Sequence, residues 1–543
     1  MFFPLIPAIM RDRVCRSTIS VTCILVFVPE PSIHRLTEDR QEPDLPSTFG
    51  IVDLFAGPGG LGEGFATAGR EGDGDMEIRL SVERQPIEVR TLRLRAFLRR
   101  FENRFPKAYH DALNAGSPMP DWSDLHPVEW KAAEAEAWQL ELGAAESFEL
   151  ISETLDRTRE GFNGNTILIG GPPCQAYSLA GRSRNRGKQD YVPEKDERHY
   201  LYREYVRILD RLRPAAFVME NVKGMISSRV DGGGIFQRVL EDLAGAGDGY
   251  HLLPLAQPCG PEPFKGTDFL VRAEDHGIPQ ARHRVFVVGL RRDITPPTDG
   301  RSLLRRSETA VSVLDAIGDL PSLRSGLSRG DDVAAWRDAV LRQASAILRS
   351  RKVPQSVRDR VGSLLTDGLA RDELRCDHRR KGNGPCVEPE LADWLVDDRL
   401  DRVLHHETRG HIPEDLGRYL YAASYAEVMR ASPKLSTFPE FLQPDHRNRA
   451  SGDFADRFRV QLGHRPSSTV TSHISKDGHY FIHPDPRQVR SLTVREAARL
   501  QTFPDNYFFC GPRTAQYHQV GNAVPPFLAL QIARVIRGLL MGH

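Results

Sequence analysis

A cysteine set behind two prolines is the first feature of this sequence that could do chemistry: Gly170-Gly171-Pro172-Pro173-Cys174-Gln175-Ala176-Tyr177-Ser178. The run follows a short apolar stretch, so the prolines stiffen a loop that displays Cys174 at the carboxyl edge of a sheet, where α/β enzymes hold ligands. A thiolate is the softest strong nucleophile a protein has. A buried structural role is the commoner fate of a lone cysteine, and the flanking Pro-Pro and Gln argue against it here. Phe217-Val218-Met219-Glu220-Asn221-Val222 puts the carboxylate of Glu220 at another strand end, as an acid or as a helix cap. Gly277 to Val285 contains Arg282 and Arg284, two apart, so that on a strand both face one side; alone they read equally as surface charge. Asp53-Leu54-Phe55-Ala56-Gly57-Pro58-Gly59-Gly60 is a glycine-rich turn that lets backbone approach a ligand closely and opens onto free helix amides. Its spacing is not G-x-G-x-x-G, although on this run alone a dinucleotide site stays open. Glu83, ending the next apolar run, can accept hydrogen bonds from ribose hydroxyls or stand as a surface carboxylate.

The elements that would position these groups are legible as short apolar runs: 50–55, Ile78–Glu83, Thr166–Ile169, Ala216–Glu220, His251–Leu255 and Val285–Leu290. Helical stretches lie between them, most clearly Val128–Arg159 and Tyr202–Leu212. Strands alternating with helices predict an α/β chain with a parallel, doubly wound sheet. The rhythm stops after Leu290; residues 296–465 mix Arg-rich helical pieces with Gly- and Pro-broken loops, and the stretch Arg342–Lys381 is locally basic. Regular patterning resumes at Pro466 and ends in the helix-like Pro526–Leu540.

A chain of 543 residues is long enough for more than one packed unit at about 150 residues each. Net charge is zero, so a nucleic-acid partner must be met by local basic patches. Seven scattered cysteines argue against a disulfide framework and for a reducing, cytoplasmic setting. In residues 1–47, an arginine-bearing start precedes an apolar run from Ser17 to Val28, too short for a bilayer that needs about 20 residues. This segment reads as a leader and is left out of the fold. Cys376, His378, Cys386, His405, His406 and His411 suggest zinc, but their spacing matches no finger or ribbon, and no metal is expected.

Taken together and in order, Asp53–Gly60, Gly171–Ser178, Glu220–Val222 and Gln280–Arg284 closely resemble motifs of the DNA cytosine-5 methyltransferases, in a bacterial, restriction–modification-like form. Arg490–Pro504 resembles the family's late arginine-bearing motif, which organises the target-recognition region, and Gln519–Pro525 its final motif, which returns to the cofactor pocket. The likeness spans about 48–300 and 466–540 and implies a Rossmann-like fold that binds S-adenosylmethionine. It implies that Phe55, Gly57, Gly60 and Glu83 line the cofactor site, with Asn522 and Val524 closing it, and that Pro173, counted with the cofactor residues, faces the base. Cys174 then faces the base, Glu220 bonds or protonates its ring nitrogen 3, and Arg282 and Arg284 orient it. Gln175 and Ser178, with Arg182, Arg184, Arg186 and Lys188 in a loop free of acids, are expected on DNA; a solvated charged loop is the plainer reading of those cations. Two departures stand out. Thr166 occupies the place where the family usually has an acid, and the adenine-contacting motif is obscure, Asp124 being the candidate.

The chemistry fits. Carbon 5 of cytosine is a poor nucleophile until a thiolate adds at carbon 6, and the base must leave the stack to be reached. The expected architecture is a catalytic domain built from 48–295 and 466–543, with a target-recognition domain, 296–465, reading the major groove of duplex DNA. A monomer is expected, with any restriction endonuclease or defence protein a separate partner. Three other readings stay open: the same chemistry on RNA, a silent methylase-shaped DNA binder, and a nucleotide-dependent oxidoreductase.

Overall fold

Phe49–Leu54 is buried along its whole length, as befits a strand covered on both faces by helices. In the computed structural model it is an interior strand, β1, between the second and fourth strands of the chain. The described residues are 48–542 apart from 102–104, 145, 174–200, 231–232, 259–262, 297–301, 370–373, 380–383 and 445–456, and they lie within the unit Pro46–His543. The other strands of the sheet are β2 (Met76–Glu83), β3 (Ala137–Gln139), β4 (Thr166–Gly170), β5 (Ala216–Val222), β6 (Tyr250–Leu253), β7 (Leu270–Arg272) and β8 (His283–Arg291). Their order is β3-β2-β1-β4-β5-β8-β6, with β7 pairing on the first residues of β8. Strands β1 to β5 run parallel. Strand β8 enters between β5 and β6 antiparallel to both, which corrects the all-parallel expectation. A buried apolar run carries no direction of its own; the connection decides it.

Helices α1 (Gly60–Glu71), α2 (Pro86–Leu98), α3 (Pro127–Glu136), α4 (Ser147–Gly161) and α5 (Leu201–Leu212) belong to the first part of the chain. The single helix expected over Val128–Arg159 is therefore two, parted by β3. The Ala- and Glu-rich stretch favours helix locally, but Ala137 and Trp138 pair with Ser81 and Val82 at the sheet edge, and that tertiary pairing wins. One face of the sheet is closed by α1 and a final helix, joined by Phe65, Ile78, Phe286, Leu530 and Ile532. On the other face α4 and α5 set Ile151, Leu155, Tyr205 and Ile208 against Val52, Leu80 and Leu168.

The insertion after the sheet is helical, with α6 (Val333–Arg349), α7 (Gln355–Thr366) and α8 (Pro413–Met429). They form a hydrophobic cluster of their own around Trp336, Val357 and Leu420. Phe458, Val460, Ile482 and Val489 join that cluster, so its core draws on residues past 465. The chain returns through α9 (Val494–Leu500), α10 (Arg513–Asn522) and α11 (Pro526–Met541). The stretch Arg513–Met541 is long and apolar enough to cross a membrane by composition, but it is two helices broken at Ala523–Pro525, and α11 packs along α1 in the core.

Three buried arginines fix the insertion to the returning segment. Arg490 pairs with Glu496 at 2.6 Å. Arg495 donates to the carbonyls of Leu404, Pro504 and Tyr507. Arg499 bridges Asp505 at 2.8 Å and Asp319 at 2.7 Å. Arg490 also donates to the Leu323 carbonyl at 3.2 Å, so all three reach residues of the insertion, and every charge has a partner, as burial requires.

Candidate active site

The glycine-rich turn leaves β1 through Phe55, whose φ of 55° is left-handed, and through Gly57 and Gly59 at 57° and 98°. A phenylalanine held there is strained, and the strain sits where the chain bends into α1. Gly57 N–H donates to Glu83 Oε2 at 2.9 Å, and Gln85 N–H to Oε1 at 2.8 Å. Burial nevertheless holds the Glu83 carboxyl above its ordinary value. Gly60 lies under the last loop: a Cβ there would stand 2.4 Å from the Val524 carbonyl oxygen. Gly60→Ala must push that loop away, and the expected result is about a tenfold rise in KM for S-adenosylmethionine with a lower melting temperature. Unchanged kinetics would show that the loop gives way freely.

Behind the turn, Asp53 is fully buried, and burial pushes its carboxyl up to about 8 against the opposing pull of Arg99. The folded state therefore binds this proton more tightly than the unfolded chain does, whose reference value is 3.8. Its contribution to stability is complete below about pH 4 and is lost as pH rises through about 8. Asp53→Asn should flatten the fall in melting temperature between about pH 4 and about pH 8; parallel curves for the two proteins would refute a neutral Asp53.

On the opposite side, Pro172 is buried and its carbonyl accepts from Asn221 Nδ2 at 3.2 Å, so the residue after Glu220 pins the proline loop. Pro173 is exposed at its rim. Cys174 follows it and, with Gln175, Ser178, Arg182, Arg184, Arg186 and Lys188, lies outside the described residues. Glu220 Oε1 meets Arg284 Nε at 2.9 Å, across the β5–β8 pair. The close approach of strand and loop needs Gly171, where a Cβ would lie 2.8 Å from Glu220 Oε2. Arg282 is 3% exposed and donates to the Val470 carbonyl at 3.0 Å. Burial, and then the like charge of Arg284, pull its guanidinium well below the ordinary value.

These groups border one cleft of about 600 Å³, within the usual range of small-molecule sites, about 300–1,000 Å³. Phe55, Gly57, Glu83, Pro173, Glu220, Arg282, Arg284 and Asn522 all line it. Val524 stands behind, against Gly60. Asp124 does not border the cleft; it is exposed on a one-turn helix, Trp122–Leu125. Leu140, Glu141 and Leu142, just past β3, line the cleft instead. The rule that ligands meet the carboxyl ends of strands would have found them, had β3 not been read as helix. Thr471, Ser472 and His518 also line the cleft and were not foreseen.

Among the described residues no group of three or more His, Cys, Asp or Glu is placed to hold a metal ion. Of the residues that suggested zinc, Cys376 Sγ contacts His378 Nε2 at 2.8 Å, and His406 is buried between Thr493 Oγ1 and the Pro321 carbonyl.

A sheet in this order, with one antiparallel strand beside β5 and a glycine cradle at the end of β1, defines a Rossmann-like S-adenosylmethionine-dependent methyltransferase. The model of the C-5 cytosine-specific DNA methylase family matches residues 151–538, and the chain belongs to that family. It is 32% identical over 519 residues to the type II methyltransferase M.Bpa9945I of Bacillus paralicheniformis, covering 91% of this chain and 99% of that one. It is 27% identical over 421 residues to the DNA (cytosine-5-)-methyltransferase M.ApeKI of Aeropyrum pernix, covering 69% and 81%. A solved structure described as a DNA modification methyltransferase encoded within an E. coli prophage shares the fold, with TM-score 0.52 and 18% identity over 91% of this chain and all of that one.

Proposed function

We propose that this protein methylates carbon 5 of a flipped-out cytosine within a specific duplex DNA sequence, through a covalent adduct of Cys174. The observation that carries the reading is the cleft itself, where Glu220, Arg282 and Arg284 face the Phe55–Gly57 turn with Pro173 at the rim. The cradle at Gly60, filled by the Val524 carbonyl, and the paired backbone amides on Glu83 suit S-adenosylmethionine. When bound, the cofactor supplies an electrophilic methyl group.

The thiolate of Cys174 adds to carbon 6 of the ring, and the electron pair displaced from the 5,6 double bond makes carbon 5 nucleophilic. Charge building toward ring nitrogen 3 is met by a proton at Glu220, while Arg282 and Arg284 hold the ring from the same wall. After carbon 5 has taken the methyl group its proton passes to water, the Cys174–carbon 6 bond breaks with its electron pair returning to sulfur, and nitrogen 3 hands its proton back to Glu220, which restores the aromatic ring. Unstacking the cytosine costs a few kcal/mol, offset by contacts in the cleft.

Residues 296–465 serve as the target-recognition domain, tied to the returning segment through Arg490, Arg495 and Arg499. The cations after Cys174 close on phosphates. In the cytoplasm the protein acts as a monomer at the nucleoid and protects host DNA from a separate endonuclease in a restriction–modification or phage-defence system. Transfer of labelled methyl to unmethylated duplex DNA, followed by bisulfite sequencing, tests this: label on cytosine in one recurring sequence is expected. Label on RNA, or on neither nucleic acid, would sink it.

A further inference from the structure

Two glutamines that do not line the cleft join its two halves. Gln280 and Gln501 are both fully buried, and neither borders the cleft. Gln280 Oε1 accepts from the Val470 amide at 2.7 Å, and the carbonyl of that same residue holds Arg282. Thr471 and Ser472, next along the chain, line the cleft. In the other direction Gln280 Nε2 donates to Gln501 Oε1 at 2.6 Å and to the Leu500 carbonyl at 3.1 Å. Gln501 Nε2 then donates to the carbonyls of Val520 and Ala523 at 2.7 and 2.9 Å. Those two residues flank Asn522 and lead into Val524, the cofactor-side lip.

Each amide accepts one hydrogen bond and uses both of its N–H donors. Methionine at 501 would take its donors from two buried carbonyls and leave one Gln280 Nε2 hydrogen without its acceptor, and glutamate would set an oxygen against those carbonyls. Gly521 lies so close to Thr471 and Ser472 that a Cβ would fall 2.3 Å from their backbone. The base-side wall and the cofactor-side lip therefore meet at one seam.

We propose that Gln280 and Gln501 are positioning residues that set the spacing between the wall carrying Arg282 and the lip of Asn522–Val524, so that a change at either end is felt at the other. This rests on the reading of the cleft given above. The test compares the full-length wild type with Gln280→Met, Gln501→Met and the double variant, measuring melting temperature, kcat and KM on duplex DNA, and S-adenosylhomocysteine affinity by calorimetry. Gln280→Met, whose own contact is to the base-side wall, should weaken S-adenosylhomocysteine about tenfold, the size of one lost buried hydrogen bond. The double variant should be no worse than the weaker single within about twofold, because one relay is broken once. Should Gln501→Met fail to fold, Gln280→Met alone decides through its cofactor affinity. A lowered melting temperature with unchanged affinity and KM, or losses that multiply in the double variant, would overturn the relay. Wild type that binds S-adenosylhomocysteine yet transfers no methyl would instead overturn the proposed function, leaving the relay to be judged by binding.

Discussion

Cys174→Ser should lower methyl transfer to duplex DNA by at least about a thousandfold, while S-adenosylhomocysteine binds within about twofold of wild type. Serine keeps the size of the side chain and removes the one group able to form an anion soft enough to add to carbon 6. The cofactor end should be indifferent, because its cradle is built from the Phe55–Gly60 turn, Glu83 and Asn522–Val524. The neighbouring Pro172 is fixed by Asn221, so serine should leave the loop's anchor intact. Once the target sequence is known, a duplex carrying 5-fluorocytosine gives a direct check. Carbon 5 then has no proton to lose, so the adduct should persist through denaturation with wild type and be missing with the variant. Undiminished transfer by Cys174→Ser would end the covalent reading.

The second large effect is expected at Glu220. Glu220→Gln keeps the volume but cannot deliver a proton, and the expected loss in kcat is about a hundredfold to ten-thousandfold, the range of one general acid. It also leaves Arg284, 2.9 Å away and mostly buried, without its counter-charge. A modest fall in melting temperature should accompany the rate loss, because a buried cation stripped of its partner is costly. KM for S-adenosylmethionine should stay close to wild type, since Glu220 and Glu83 stand at different ends of the cleft. A variant that loses cofactor affinity but keeps kcat would assign Glu220 to the wrong partner.

The sequence was most readable where chemistry constrains residue type at a strand end. Pro173, Glu220, Arg282, Arg284 and the Phe55–Gly57 turn were each named from local pattern, and all of them border one cleft. The apolar runs also placed six of the eight strands to within a few residues, missing β3 and β7. What was misread was composed against its local preference. Ala137–Gln139 sits in an Ala- and Glu-rich stretch that favours helix, and its strand exists only because β2 offers an unpaired edge. That error carried over to the site, since the residues after a strand reach the cleft whereas Asp124, on a short exposed helix, does not.

By itself, then, the sequence determined which residue types stand at the strand ends and the family they point to. Glu220, Arg282, Arg284 and the glycine turn each stand on or beside a strand that an apolar run announced, and Pro172-Pro173-Cys174 follows another such run in the chain. Tertiary structure alone decided that β8 runs antiparallel between β5 and β6, that Glu141 and Thr471 reach the cleft, and that Gln280 meets Gln501. Those outcomes depend on segments far apart along the chain finding one another, and a neutral buried amide or a strand's direction leaves no mark on local hydrophobic pattern.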